Sequence, residues 1–316
     1  MCRATKFILS VTLVAAAGAA IVLLFNAPKV DESPEKARLS LIRSLLEQYK
    51  TQTPNAAAEK QAFINLDSAQ NAPPPDIDDA QQLWVASAGA ELDVRLFKGR
   101  NANVLFVLTH GTPKSGAPRL VYDHYGYMAT IRALYAKGDV AFIYRAGAGD
   151  SRNALSESYG DCTIPDYKTP TLNAAQHLID VAQHLRSTQE GYRHIILLGQ
   201  SSGGLATLAV MATSTAYDYG FAFNPGRGLP RENQWCDQSS LREMVKGWSN
   251  NLKRPVTLMF SDGDEQMQLP DAVEFYKNLP LEVVFYSTPG WGPAHPLMGL
   301  WPNLWVEDVF QRLGLN

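Results

Sequence analysis

The chain has 316 residues, 46% of them apolar and 19% charged, with a formal net charge of −3. That is enough chain for one large α/β domain with a sizeable core. The slightly acidic balance offers nucleic acid no basic surface, which argues against such a partner.

Residues 1–30 read as a membrane-targeting segment outside the fold. Arg3 and Lys6 precede Phe7–Phe25, nineteen residues without a charge. That length can span a bilayer. A secretory apolar core is usually shorter and leads into a small-x-small cleavage site. Here Pro28 follows Ala27 and disfavours cutting at that point. An uncleaved signal anchor is the preferred reading, and a cleaved signal peptide is the alternative. The charges before the run place the N-terminus in the cytoplasm. The body of the chain then lies in a periplasmic or extracellular space, anchored in the inner membrane or, after cleavage, secreted. Cys2 precedes the apolar run and is not a lipobox cysteine.

Residues 31–82 read as a helical stalk and linker. Ser33-Pro34-Glu35 caps a helix to about Gln52, with Leu39, Ile42, Leu45, Leu46 and Tyr49 on one face. An Ala/Gln/Asn-rich stretch and Pro73-Pro74-Pro75 follow, a stiff connection.

From residue 83 to 316, strands and helices alternate. Leu83–Ala88 and Leu92–Phe97 read as an antiparallel pair around Gly89, and Val104–Thr109 as a buried strand ending at His110-Gly111. A helix over Tyr122–Ala136 stops at Gly138, and a strand over Val140–Tyr144 follows. Residues 150–170 read as irregular, and Leu172–Leu185 as a helix. Strands at Ile195–Leu198, Tyr219–Phe223, Val256–Phe260 and Val283–Tyr286 alternate with helices after Ser201 and near Leu241–Trp248 and Ala272–Lys277, with a last helix over Trp305–Leu313. The pattern predicts an α/β fold, a mostly parallel central sheet of about eight strands with helices on both faces. Sites in such sheets gather at the carboxyl ends of the strands.

One stretch concentrates the chemistry. Ile195-Ile196-Leu197-Leu198 runs into Gly199-Gln200-Ser201-Ser202-Gly203, and Leu205, Leu208, Ala209 and Ala212 follow at helical spacing. Strand, sharp turn and helix are the context in which G-x-S-x-G marks a nucleophile elbow. Gly199 and Gly203 remove side chains that would collide across so tight a bend, and Gly204 lets the helix approach the strand. The amides at the helix start point back at Ser201, where an oxyanion would form.

A serine hydroxyl needs a base. Of six histidines, His177 and His184 fall in a predicted helix, His124 near a helix start, His194 before a strand and His110 at a strand end. His295 sits in a Gly/Pro-rich loop after the final strand, in the chain order this architecture requires. Asp264 is the preferred acid, as a resemblance to serine hydrolases implies, in which a small residue stands three before the acid and a proline a few after, here Ser261 and Pro270; Asp262 is the alternative. The acid would hold the imidazole in its working tautomer. Oxyanion donors are expected from the amides of Ser202 and Thr112, since Pro113 has no N–H and Gly111 permits close approach. Arg145–Ser151 is Gly-rich but lacks phosphate-loop spacing, and reads as a structural loop beside the site. Cys162 and Cys236 fall in predicted loops, either a disulfide pair in an oxidising compartment or two separate thiols.

Over about residues 83–315 the chain resembles the α/β-hydrolase superfamily. The likeness rests on Thr109–Pro113, Tyr144–Ser151, Gly199–Gly203, Ser261–Asp264 and the loop holding His295. It is similar in particular to dienelactone-hydrolase-like serine hydrolases of bacterial envelopes, through Ser158–Cys162 and through Asn224–Gly228 with Cys236. The resemblance implies a Cys162–Cys236 bridge. It differs from dienelactone hydrolase proper in carrying Ser201 where that enzyme has cysteine, and His295 is flanked by Ala294 and Pro296 instead of glycines.

The expectation is a serine hydrolase acting on a small carboxylic ester through Ser201, His295 and Asp264, with no metal and no organic cofactor. A peptidase or amidase sharing the triad, an acyltransferase, and a non-catalytic binding protein on the same fold are the alternatives. The loops at 112–121, 150–170 and 225–238 are expected to shape the pocket. Tyr122, Tyr159, Trp235 and Trp291 are residues that either line it or pack in the core.

Overall fold

The computed structural model describes residues 80–111, 127–144, 164–188, 191–226, 238–261, 271–286, 297 and 302–315. All belong to the second of the two units into which the chain divides, Ile64–Asn316. The predicted anchor and almost all of the predicted stalk lie outside the described residues. Among those described, no helix is long and apolar enough to cross a membrane.

The described chain opens with a hairpin, β1 Gln81–Ser87 and β2 Ala90–Phe97, where the sequence predicts strands over Leu83–Ala88 and Leu92–Phe97. Ala88 and Gly89 form its two-residue turn with φ of 44° and 81°. Two consecutive positive φ values match the twist of a tight hairpin. Then come β3 Val104–Thr109, α1 Met128–Tyr135, β4 Asp139–Ile143, α2 Ile164–Thr188, β5 His194–Gln200 and α3 Ser202–Thr213. β6 Tyr219–Phe223, α4 Gln238–Ser249, β7 Val256–Ser261, α5 Ala272–Lys277, β8 Glu282–Tyr286 and α6 Pro302–Leu313 complete the order.

The eight strands form one sheet in the order β1-β2-β4-β3-β5-β6-β7-β8. β2 pairs antiparallel with β1 and β4, and every other neighbouring pair is parallel. Alternation along the strands divides the core into two layers. Leu105, Val107, Ile195, Leu197, Leu258 and Phe260 face one side and meet Leu178, Val181, Leu205 and Leu208 of α2 and α3. Phe106, Leu108, Ile196, Leu198, Phe221 and Phe223 face the other and meet Ile131, Leu134, Trp305 and Val309 of α1 and α6. Strands covered on both faces read as unbroken apolar runs, which is why β3 and β5 do. Each such side chain, fully buried, contributes about 1.5–3 kcal/mol.

One element corrects the sequence reading. Residues 150–170 were expected to be irregular, yet α2 starts at Ile164 and carries Pro170 inside it. Proline is readily accommodated in a first helical turn, where Pro165 stands, because its missing N–H has no partner there. Pro170 does forfeit a helical hydrogen bond. The helix persists because Thr171, Ala174, Ala175, Leu178, Val181, Ala182 and Leu185 bury a continuous stripe. Packing outweighs the local break.

Three buried or half-buried phenols are paired. Tyr192 donates its hydroxyl to Asp139 Oδ2 at 2.5 Å, and Lys98 Nζ reaches the same oxygen at 3.0 Å. Tyr217 donates to the carbonyl of Leu178 at 2.7 Å, and Tyr286 to Asp308 at 2.8 Å. Burial pushes all three phenols well above the usual tyrosine range, and the carboxylates of Asp139 and Asp308 add to it for Tyr192 and Tyr286.

Candidate active site

Ser201 occupies the turn between β5 and α3 with φ 55° and ψ −120°. A side chain in that region costs about 1–3 kcal/mol and persists only where its surroundings enforce it. Here the backbone is fixed from several sides. Ser201 N–H donates to the carbonyl of Phe223 at 2.9 Å, and the Ser201 carbonyl accepts from Leu205 N at 3.1 Å and Gly226 N at 3.2 Å. Although Ser201 stands at the N-cap of α3, its hydroxyl makes no capping bond. The half-buried side chain instead donates a long bond, 3.4 Å, to the Gly226 carbonyl. Ser202, fully buried, is the first residue of α3, so the amides of the first helical turn and the positive helix end lie beside the serine.

The elbow glycines are needed, Gly199 for the expected approach across the bend, Gly203 and Gly204 for contacts with neighbouring strands. A Cβ on Gly199 would lie 2.3 Å from the Gly203 carbonyl oxygen and 2.3 Å from Thr207 Oγ1. One on Gly203 would lie 2.5 Å from the His110 carbonyl oxygen, so Gly203 accommodates the end of β3, not the other limb of the turn. Gly204 packs on Phe223 and Pro225 at the exit of β6, not on the strand it follows.

The exit of β3 closes on the serine. A Cβ on Gly111 would be 3.0 Å from Ser201 Cβ. His110 is fully buried, its Nδ1–H donates to the Gly111 carbonyl at 2.6 Å, and its ring stacks on Phe142 at 6.0 Å. The exits of β6 and β7 are joined through Asn224, which adopts φ 43°. Its Oδ1 accepts from Ser261 N at 2.9 Å and its Nδ2 donates to Ser261 Oγ at 3.2 Å. Among residues near His295, Leu297 is buried, donates its N–H to Gln200 Oε1 at 3.3 Å and accepts from Thr130 Oγ1 at 2.9 Å.

The structure thus brings Ser201, Ser202 and Gly111 together. His295, Asp264, Asp262, Thr112, Cys162, Cys236, Arg145–Ser151, Tyr122, Tyr159, Trp235 and Trp291 lie outside the described residues. Of the competing histidines, His177 and His184 lie in α2 and His194 at the start of β5, roughly 20 Å of strand from the serine, while His110 stands at the exit of β3 beside Gly111 and His124 lies outside the described residues. Among the described residues no group of three or more His, Cys, Asp or Glu could hold a metal ion. Sequence reasoning missed Gly226 and Gln200. The signal for Gln200 was a polar residue continuing the buried face of Ile196 and Leu198.

No protein-family profile matches the chain, and no curated protein matches it. Solved structures do. An esterase of Pyrococcus furiosus aligns at 17% identity with a TM-score of 0.50, over 74% of this chain and 88% of its own. Est1E of Butyrivibrio proteoclasticus, with ferulic acid bound, aligns at 16% identity and TM-score 0.50, over 73% of this chain and 97% of its own. The acylaminoacyl peptidase of Pyrococcus horikoshii aligns at 18% identity and TM-score 0.54, over 74% of this chain but 41% of the peptidase. With the strand order and the strained serine turn, these likenesses establish the α/β-hydrolase fold.

Proposed function

We propose that the chain is a serine hydrolase acting on a small carboxylic ester. The observation that carries this is Ser201, a non-glycine residue held at φ 55° with its hydroxyl released from helix capping. A fold with no use for that hydroxyl would gain stability by giving it up.

In this reading Ser201 Oγ attacks the ester carbonyl while His295 takes its proton. The amides of Ser202 and Thr112 hold the oxyanion, a role in which losing one donor typically costs ~10²–10³ in turnover. His295 then protonates the departing alcohol, and water, activated by the same imidazole, releases the acid. Asp264 orients His295, with Asp262 as the alternative. Three anchors support these assignments. Gly111, which precedes Thr112, lies against Ser201; Ser261, three residues before Asp264, is tied to Asn224; and Leu297 is tied to Gln200. Two residues of chain span at most ~7 Å, which supports a short reach from Leu297 to His295.

The likeness to an acylaminoacyl peptidase favours a second reading, in which the same groups cleave an amide. The fold does not choose between them. A panel of p-nitrophenyl esters against aminoacyl and prolyl anilides does. Turnover of the esters alone, lost in Ser201→Ala, supports the esterase. Faster turnover of the anilides replaces it with the peptidase, and turnover of neither removes both.

We further infer from the sequence that Phe7–Phe25 anchors the chain in the inner membrane with the hydrolase outside, and that Cys162 and Cys236 form a disulfide there. Carbonate extraction and protease accessibility of spheroplasts test the first. Thiol alkylation with and without reductant tests the second.

A further inference from the structure

Two residues buried in the core have polar side chains that need explaining. Gln200, 2% exposed, ends β5 on the face otherwise made by Ile196 and Leu198. Thr130, fully buried, lies in α1 among Met128, Ile131 and Leu134. An apolar residue would suit either place better, because a buried polar atom must find a partner. Both find the same one. Gln200 Oε1 accepts from Leu297 N at 3.3 Å, and Thr130 Oγ1 donates to the Leu297 carbonyl at 2.9 Å. The Leu297 side chain is itself fully buried in the layer that holds α1 and α6. Leu297 is therefore gripped at its N–H, its carbonyl and its side chain.

The position of this grip gives it a use. Gln200 is covalently joined to Ser201, and Leu297 follows His295 by two residues. We infer that Gln200 and Thr130 are positioning residues: they clasp the chain at Leu297 and so set the register of His295 against Ser201. This rests on the serine-hydrolase reading. Gln200 refers the base to the nucleophile through a single residue, and Thr130 completes the clasp from α1. Neither touches substrate.

The test compares the wild type with Thr130→Val, Thr130→Ser and Gln200→Leu. Ser249→Ala serves as a control, since Ser249 Oγ donates a buried bond to the Val245 carbonyl within its own helix, α4, and not to the chain near Leu297. Steady-state hydrolysis of p-nitrophenyl butyrate and the rate of inactivation by a fluorophosphonate are measured on each, with the urea midpoint. A slack base lowers kcat by roughly 10- to 100-fold, because small misplacements of reacting groups cost that much. KM should stay within about twofold, inactivation should slow in the same proportion as kcat, and Thr130→Ser should restore most of the rate. Ser249→Ala should lose stability without losing kcat. Wild-type kcat in a folded Thr130→Val and Gln200→Leu overturns the clasp. So does a loss that merely follows the unfolded fraction and is not restored by serine. If the wild type itself neither hydrolyses ester nor reacts with the probe, the hydrolase reading fails and takes the clasp with it. A reactive wild type with unaltered variants sinks the clasp alone.

Discussion

Gly111 lies directly against Ser201: a Cβ there would crowd it, 3.0 Å from Ser201 Cβ and 3.5 Å from its Oγ. Gly111→Ala therefore presses on Ser201 itself. The overpacking costs about 1–3 kcal/mol of stability. Ester hydrolysis should suffer more, with kcat/KM down by about tenfold or more as Ser201 is displaced. Kinetics and urea unfolding of the same preparation check both. Wild-type kcat/KM would mean the contact has no bearing on the chemistry.

Two glycines should respond in opposite senses to alanine. At Gly199 the new methyl meets the Gly203 backbone at 2.3 Å, and backbone cannot step aside. A loss of about 3 kcal/mol or failure to fold is expected. Gly247 is an exposed residue within α4 whose Cβ would meet nothing within 4 Å. Gly247→Ala should stabilise by about 0.5–1 kcal/mol. Chemical denaturation of the pair gives the answer, and a destabilising Gly247→Ala would contradict it.

Strain at Ser201 separates two inactive variants. Ser201→Ala removes the hydroxyl but keeps a Cβ at φ 55°. Ser201→Gly removes both. The glycine variant recovers most of the ~1–3 kcal/mol of strain, less ~0.5–1 for its freer unfolded chain. It should unfold at higher urea than both the wild type and Ser201→Ala. Equal midpoints for the two variants would show that the turn is not strained.

Alkaline stability follows from the buried phenols. Tyr192, Tyr217 and Tyr286 have folded-state pKa values raised above the unfolded value of about 10. Above that pH the unfolded chain releases protons that the fold retains, so unfolding is favoured. Their contribution is complete below about pH 10 and declines as pH rises further, by up to ~1.4 kcal/mol per pH unit for a tyrosine that stays protonated. Tyr217→Phe should flatten the decline between pH 10 and 11 in urea titrations. An unchanged slope would deny Tyr217 its part.

The strands and the serine turn are legible in the sequence because their causes are local. Val104–Thr109 is apolar at nearly every position and is matched by β3 residue for residue. Ile195–Leu198 followed by Gly-Gln-Ser-Ser-Gly leaves one compact solution, a strand that turns sharply into a helix. The start of α2 is not legible, because Pro165 and Pro170 signal a break that only the buried stripe from Thr171 to Leu185 overrides. Least legible are the side chains that knit the site. Asn224 and Ser261 are 37 residues apart, Gln200 and Leu297 are 97 apart, and Thr130 and Leu297 are 167 apart. No local pattern announces a hydrogen bond at such separation, so the sequence can propose Ser201 and His295 but not the long-range bonds that tie Gln200, Thr130 and Leu297 together.

If Ser201 is an activated nucleophile, a covalent trap will capture it. Purified wild type and Ser201→Ala are incubated with a fluorophosphonate probe and weighed intact by mass spectrometry. One adduct per wild-type chain is expected, mapped to the peptide carrying Ser201, and none on the alanine variant. Equal labelling of the two, or an unlabelled wild type that is fully folded, would contradict it.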